Sequence, residues 1–165
     1  MNPIESIDVR ILKSLIETKK IILFDGVCNL CNTSINWIID RDNEKKFSFA
    51  SLQSKFSKNL LNEKKYSILE NQKWILLNEG HKKIFEDLHS VILIEDDKIY
   101  IRSEAVLRIA NHLKGFSYLS KLGSTIPNSI SDYLYSFIAK NRYHWFGKTD
   151  ICKIPTVELQ NRFIE

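Results

Sequence analysis

Two cysteines three residues apart, Cys28 and Cys31, follow an acidic turn at Asp25-Gly26. Positions i and i+3 of a helix share a face, so the two sulfurs can meet. A disulfide needs Cα atoms roughly 4.4–6.8 Å apart, which one helical turn supplies. A C-x-x-C pair between a strand and a helix is the sequence form of a dithiol redox site. Cys28 falls where the first backbone N–H groups of a helix are unpaired and its dipole is positive. That favours thiolate over thiol, and thiolate is the attacking species. Cys31 lies one turn deeper, on the apolar stripe, where its pKa is expected to stay higher. The spacing therefore predicts Cys28 as nucleophile and Cys31 as the resolving thiol.

Asp25 has two readings. It can cap the helix by accepting an N–H bond near the turn, or relay a proton to or from a thiol. The roles oppose each other, because a carboxylate beside Cys28 disfavours its thiolate. The pair itself also has alternatives. Two cysteines at helical spacing can be inert core residues, or half of a zinc site. Zinc usually takes four ligands, and beyond the pair stand only Cys152 and four histidines (His81, His89, His112, His144) without ligand spacing. No metal or bound cofactor is expected. The stretch Ile-Leu-Phe-Asp-Gly also resembles the opening of aspartate-nucleophile phosphatases, but Val27 stands where those carry their second acidic residue.

The elements that must position these groups follow from periodicity. Residues 20–24 read as a buried strand and 29–41 as a helix with Cys31, Ile35, Ile38 and Ile39 at helical spacing. Residues 47–50 form a second strand, and Ser51 is expected to cap a helix carrying Leu52, Phe56 and Leu60. A helix crossover between two strands makes them parallel. Residues 91–95 and 98–102 flank Asp96-Asp97 as an antiparallel hairpin. Ser103 is expected to cap the next helix, which Gly115 ends. Residues 116–122 form a short helix. Ser129 then opens a helix whose Ile130, Tyr133, Leu134, Phe137 and Ile138 make one stripe, expected to bury against the sheet or the preceding helix. Residues 62–89 are the least readable: Trp74-Ile75-Leu76-Leu77 fits a strand or part of a helix. Residues 2–18 read as an added amphipathic helix with Ile4, Ile7, Ile11 and Leu15 on one face.

The run Asp25-x-x-Cys28-x-x-Cys31 after an apolar strand resembles the signature of the DCC family of thiol-disulfide oxidoreductases. Phe49-Ala50-Ser51-Leu52-Gln53-Ser54, Arg102-Ser103-Glu104-Ala105 and the run from Phe137 to Lys148 are similar to its further motifs. The resemblance implies an α/β, thioredoxin-like three-layer sandwich with a mixed sheet of about four strands and added N-terminal and C-terminal helices. The chain is read as one domain over 1–165: an added helix over 1–18, a redox core over 20–115 and a helical extension over 116–165. Ordinary thioredoxins place a cis-proline before the strand facing the dithiol; here Ser90 and Val91 stand near that position.

Arg142, Trp145, Phe146 and Lys148 combine cations with aromatic rings, which suits an anion or a planar ligand. They serve either as a substrate-binding surface or as a lid near the dithiol, and a cation close to Cys28 would lower its pKa. In the alternative reading the chain is a non-catalytic thioredoxin-like interaction module, with a vestigial dithiol and this tail binding a partner. Cys152 is read as a bystander. The expected partners are a thiol or disulfide substrate, protein or small molecule, and a dithiol electron donor.

Composition bounds the rest. In 165 residues, 44% are hydrophobic and 27% charged, ordinary for a globular protein. No apolar run nears the ~18 residues of a membrane helix, and the first residues lack a signal-peptide pattern. No membrane association and a cytoplasmic location are expected. The net charge of +4 sits in residues 102–165 without a dense basic stripe, so no nucleic-acid partner is expected.

Overall fold

Alternation along the first strand decides the layering. In the computed structural model, Lys20–Phe24 forms β1. Ile21 and Leu23 point to one face and Ile22 and Phe24 to the other, each within a separate hydrophobic cluster. The structure describes residues 20–62, 67–70, 73–76, 90–96, 98–123, 125–149, 159 and 161–164. The expectations for the helix at 2–18, for Cys152 and for 77–89 lie outside these residues.

After β1 come helix α1 (Asn29–Ile39), strand β2 (Phe47–Ser51) and helix α2 (Lys55–Asn62). Strands β3 (Ser67–Glu70), β4 (Lys73–Leu76), β5 (Ile92–Glu95) and β6 (Lys98–Ile101) follow. Helices α3 (Arg102–His112), α4 (Ser117–Gly123) and α5 (Asn128–Phe146) complete the order. The sheet runs β2-β1-β5-β6-β3-β4. β1 is parallel to β2 and antiparallel to β5, and β5 and β6 form the expected hairpin. Phe56 and Leu60 of α2 cover the Ile21–Leu23 face, while Ile35 and Ile38 of α1 and Ala105 and Ile109 of α3 cover the other. This is the thioredoxin-like α/β arrangement, with β2-β1-β5-β6 as its mixed four-strand core. The hairpin β3–β4 widens the sheet to six strands. It arises from the segment whose short apolar runs periodicity could not assign.

The helix starts differ from expectation for local reasons. Ser51 stays in β2, paired with Phe24, so Ser54 caps α2 by accepting the Ser57 N–H (3.1 Å). β6 runs straight into α3, with Arg102 turning the chain at φ 55°. Ser103 is therefore already helical, and its hydroxyl donates to Asp132 of α5 (2.6 Å). The helix expected to open at Ser129 instead starts at Asn128, after Pro127.

The stripe of α5 is a larger correction. Ile130, Tyr133, Leu134, Phe137 and Ile138 are all exposed, Tyr133 at 72%. Both faces of the sheet are already covered by α1, α3 and α2, so α5 packs on α1 and α3 as an outer element. It turns Tyr135, Ala139 and Arg142 inward instead.

The far edge of β2 is closed by the end of the chain. Phe49 N–H donates to the Arg162 carbonyl and Ile164 N–H to the Phe49 carbonyl, both 2.8 Å. Arg162 is buried, paired with the buried carboxylate of Asp42 and with the Phe47 carbonyl.

Candidate active site

β1 delivers Asp25 to the C-terminal end of the sheet, and the turn after it starts α1. Gly26 lies under β2: a Cβ there would stand 2.7 Å from the Ser51 hydroxyl. The turn is held by Gly26 N–H donating to Gln53 Oε1 (3.1 Å) and Asn32 Nδ2 donating to the Gly26 carbonyl (3.0 Å).

The cap of α1 is Cys28, not Asp25. Its sulfur accepts the backbone N–H of Cys31 at 3.4 Å, so it stands at the positive end of the helix. Both cysteines are free thiols. The Cys31 thiol is pushed up to about 12, by burial first and then by the hydrogen bond and charge of Cys28, with Arg142 opposing. The depth is the reverse of expectation. Cys28 is fully buried and Cys31 partly exposed. A strap from the C-terminal end of α5 accounts for this. Lys148 forms a β-bridge with Cys28, Thr149 N–H donates to the Val27 carbonyl (2.9 Å) and Asn29 N–H to the Gly147 carbonyl (3.5 Å). The Asn29 amide also donates to the Phe146 carbonyl (2.9 Å).

Asp25 lies beneath the strap, 1% exposed. One carboxylate oxygen accepts from Val27 N–H (3.2 Å) and Gln53 Nε2 (2.9 Å). The other accepts from Arg142 Nη2 (2.5 Å) and the Tyr143 hydroxyl. Burial alone would raise this carboxyl; the bonds from Tyr143, Gln53 and Val27 and the Arg142 charge outweigh it and hold the pKa below its ordinary value. The same partnership raises Arg142 and Tyr143. In both, burial is the largest influence. It works against the shift of Arg142 and adds to that of Tyr143.

Of the other tail residues, Lys148 sets its ammonium over the Tyr143 ring, 4.2 Å from the centroid. Trp145 and Phe146 stand half exposed at the rim, Trp145 against Phe137. The structure thus gathers Cys28, Cys31, Asp25, Arg142 and the Lys148 backbone, and leaves the Trp145 and Phe146 rings outside. Sequence reasoning missed Gln53 as a partner of Asp25, and Tyr143; the signal was the presence of each in a quoted motif. Near the cis-proline position, Val91 N–H donates to the Tyr135 hydroxyl (2.9 Å), and Ser90 is buried. Among the described residues no three His, Cys, Asp or Glu side chains gather as a metal site.

A three-layer α/β domain with two thiols at the N-terminus of the helix after its first strand is a dithiol protein of thioredoxin-like architecture. The chain belongs to the DCC1-like thiol-disulfide oxidoreductase family, whose model matches residues 22–148. It is 39% identical over 145 residues to the uncharacterized protein YuxK of Bacillus subtilis (strain 168), covering 88% of this chain and 93% of that one. It is 36% identical over 139 residues to the DCC family protein At1g52590, chloroplastic, of Arabidopsis thaliana, covering 84% and 71%. No solved structure matches. Membership supports a general redox role with thiol or disulfide substrates. No described helix is long and apolar enough to cross a membrane, and one relative carries the word chloroplastic in its name.

Proposed function

We propose that the protein exchanges thiols and disulfides, with Cys28 as nucleophile and Cys31 as resolving thiol. The observation that carries this reading is the asymmetry of the pair. The Cys28 sulfur caps the helix and accepts an N–H, while the Cys31 thiol holds its proton up to about 12. The Cys28 thiolate attacks one sulfur of a substrate disulfide. One S–S bond forms as another breaks, and the leaving thiolate takes a proton. Cys31 then gives up its proton and attacks Cys28, forming the Cys28–Cys31 disulfide and releasing the second substrate thiol. Two electrons have passed to the substrate, and an external dithiol restores the pair.

Asp25 fits a positioning role better than a relay, because four donors hold it ionised. It fastens Arg142 and Tyr143, and with them the strap, to the redox turn. Since Cys28 is fully covered, Gly147 to Thr149 shift for a substrate sulfur to come in line. Three cysteines, one of them unpaired in sequence, suit a reducing compartment such as the cytoplasm better than a disulfide scaffold.

The test is equilibration in dithiothreitol or glutathione buffers with free-thiol counting. A reversible two-electron transition, absent in Cys28→Ser, is expected. A potential near about −270 mV marks a reductase and one near about −120 mV an oxidant. Cys31→Ser should trap a mixed disulfide on Cys28. A pair that forms no disulfide under oxidation ends this reading.

A further inference from the structure

Beside the dithiol lies a cavity of about 590 Å³ between α1, α3 and α5, within the range of roughly 300–1,000 Å³ that holds small molecules. Its walls include Leu30, Ile35 and Trp37 of α1, Val106 and Ile109 of α3 and Ile138 of α5. Cys31 lines it too. The polar side chains that reach the wall are engaged elsewhere. The Thr33 and Ser34 hydroxyls donate to the Asn29 and Leu30 carbonyls at 2.9 and 2.8 Å. The Tyr135 hydroxyl accepts from Val91 N–H, and the Arg142 guanidinium is bound to Asp25 through Nη2, with its buried Nε left over. The wall therefore offers a ligand mostly apolar area, one thiol and at most one N–H. A charged disulfide such as glutathione disulfide, with its several charged groups, would lose its hydration there for at most one N–H in return.

From this combination we infer that the cavity holds the apolar body of a small-molecule disulfide and presents its sulfur to the dithiol. The inference rests on the dithiol reading above and names the substrate class of that site. The body packs between α1 and α5, and its sulfur reaches Cys28 from the Cys31 end as the strap lifts. The reaction is the exchange already balanced, with the reduced pair supplying both electrons.

Single-turnover reduction of alkyl 2-pyridyl disulfides by the pre-reduced full chain tests this. The pyridinethione leaving group is constant and absorbs light, so only the alkyl chain varies. Free dithiothreitol supplies the reference rate for each compound. Relative to that reference, each added methylene should raise the second-order rate constant about fourfold, so butyl should exceed methyl by about 60-fold. Ala139→Phe, which fills the cavity, should flatten this dependence. Val106→Glu, a charge at a half-exposed wall position, should do the same should Ala139→Phe fail to fold.

Equal relative rates for all chain lengths overturn the inference and leave the dithiol reading standing. No pyridinethione release from any compound, or release unchanged in Cys28→Ser, removes the dithiol reading itself. Chain-length dependence that emerges only in Ile7→Asp/Ile11→Asp assigns the cavity to the chain's own N-terminal segment, and this too overturns it.

Discussion

Two buried Asp–Arg pairs join the C-terminal part of the chain to the sheet, and they are used differently. Asp42 and Arg162 sit at the start of β2. There Arg162 gives Nε and Nη2 to the Phe47 carbonyl and Nη2 also to Asp42, which in turn accepts Lys46 and Phe47 N–H. Asp25 and Arg142 sit at the opposite end of β1, beside two thiols. There Arg142 Nε has no partner among the described residues, although it is buried. A saturated pair is a staple, whose removal costs stability alone. A pair with an idle donor next to a titrating sulfur also sets local charge, so its removal should alter chemistry as well.

The largest expected effect falls on the staple. Arg162→Ala leaves Asp42 buried without its cation and should lower the urea-unfolding free energy by about 3–5 kcal/mol. The thiol exchange rate of the folded protein should not change; a changed rate would erase the distinction. Arg142→Ala should cost less, about 2–3 kcal/mol, because Tyr143 and Gln53 still donate to Asp25. It also withdraws the positive charge that favours ionisation of Cys31. Resolution of a mixed disulfide on Cys28 should slow roughly three- to tenfold in stopped-flow measurement. Unaltered resolution would make this pair a second staple.

The smallest effect is in pH. The folded Asp25 carboxyl releases its proton more readily than the ordinary value of 3.8, so the unfolded chain binds more protons just below that value. Stability from Asp25 is therefore complete above about pH 4 and lost as pH falls through the lower folded pKa. Denaturation between about pH 2 and 5 should show a shallower slope in Asp25→Asn than in the unchanged protein. Equal slopes would mean that the carboxyl is not held ionised.

The redox turn was legible because its signals are local. An apolar strand, Asp-Gly and a C-x-x-C spacing each act within a few residues, and the structure places the strand, turn and helix there. Parallel pairing of β1 with β2 and the β5–β6 hairpin followed from connection length. What escaped depends on distant partners. The exposed α5 stripe could not be read, because periodicity says that a face is apolar without saying what covers it. The caps at Ser51 and Ser103 were lost to strand pairing and to an abrupt strand–helix junction. The enclosure of Cys28 by residues over a hundred positions away leaves no trace in the spacing of the two cysteines.

That enclosure bears on chemical survival. A sulfur open to bulk water meets peroxide and climbs past sulfenic to sulfinic acid, where ordinary thiols no longer restore it. Beneath Gly147, Lys148 and Thr149 the Cys28 sulfur is shut off from solvent, and on the proposed function it is uncovered only when a substrate displaces the strap. If the pair turns over as proposed, oxidative damage to this site scales with the number of turnovers completed and not with the hours spent in an oxidising medium, so an idle molecule keeps the Cys28 thiol intact.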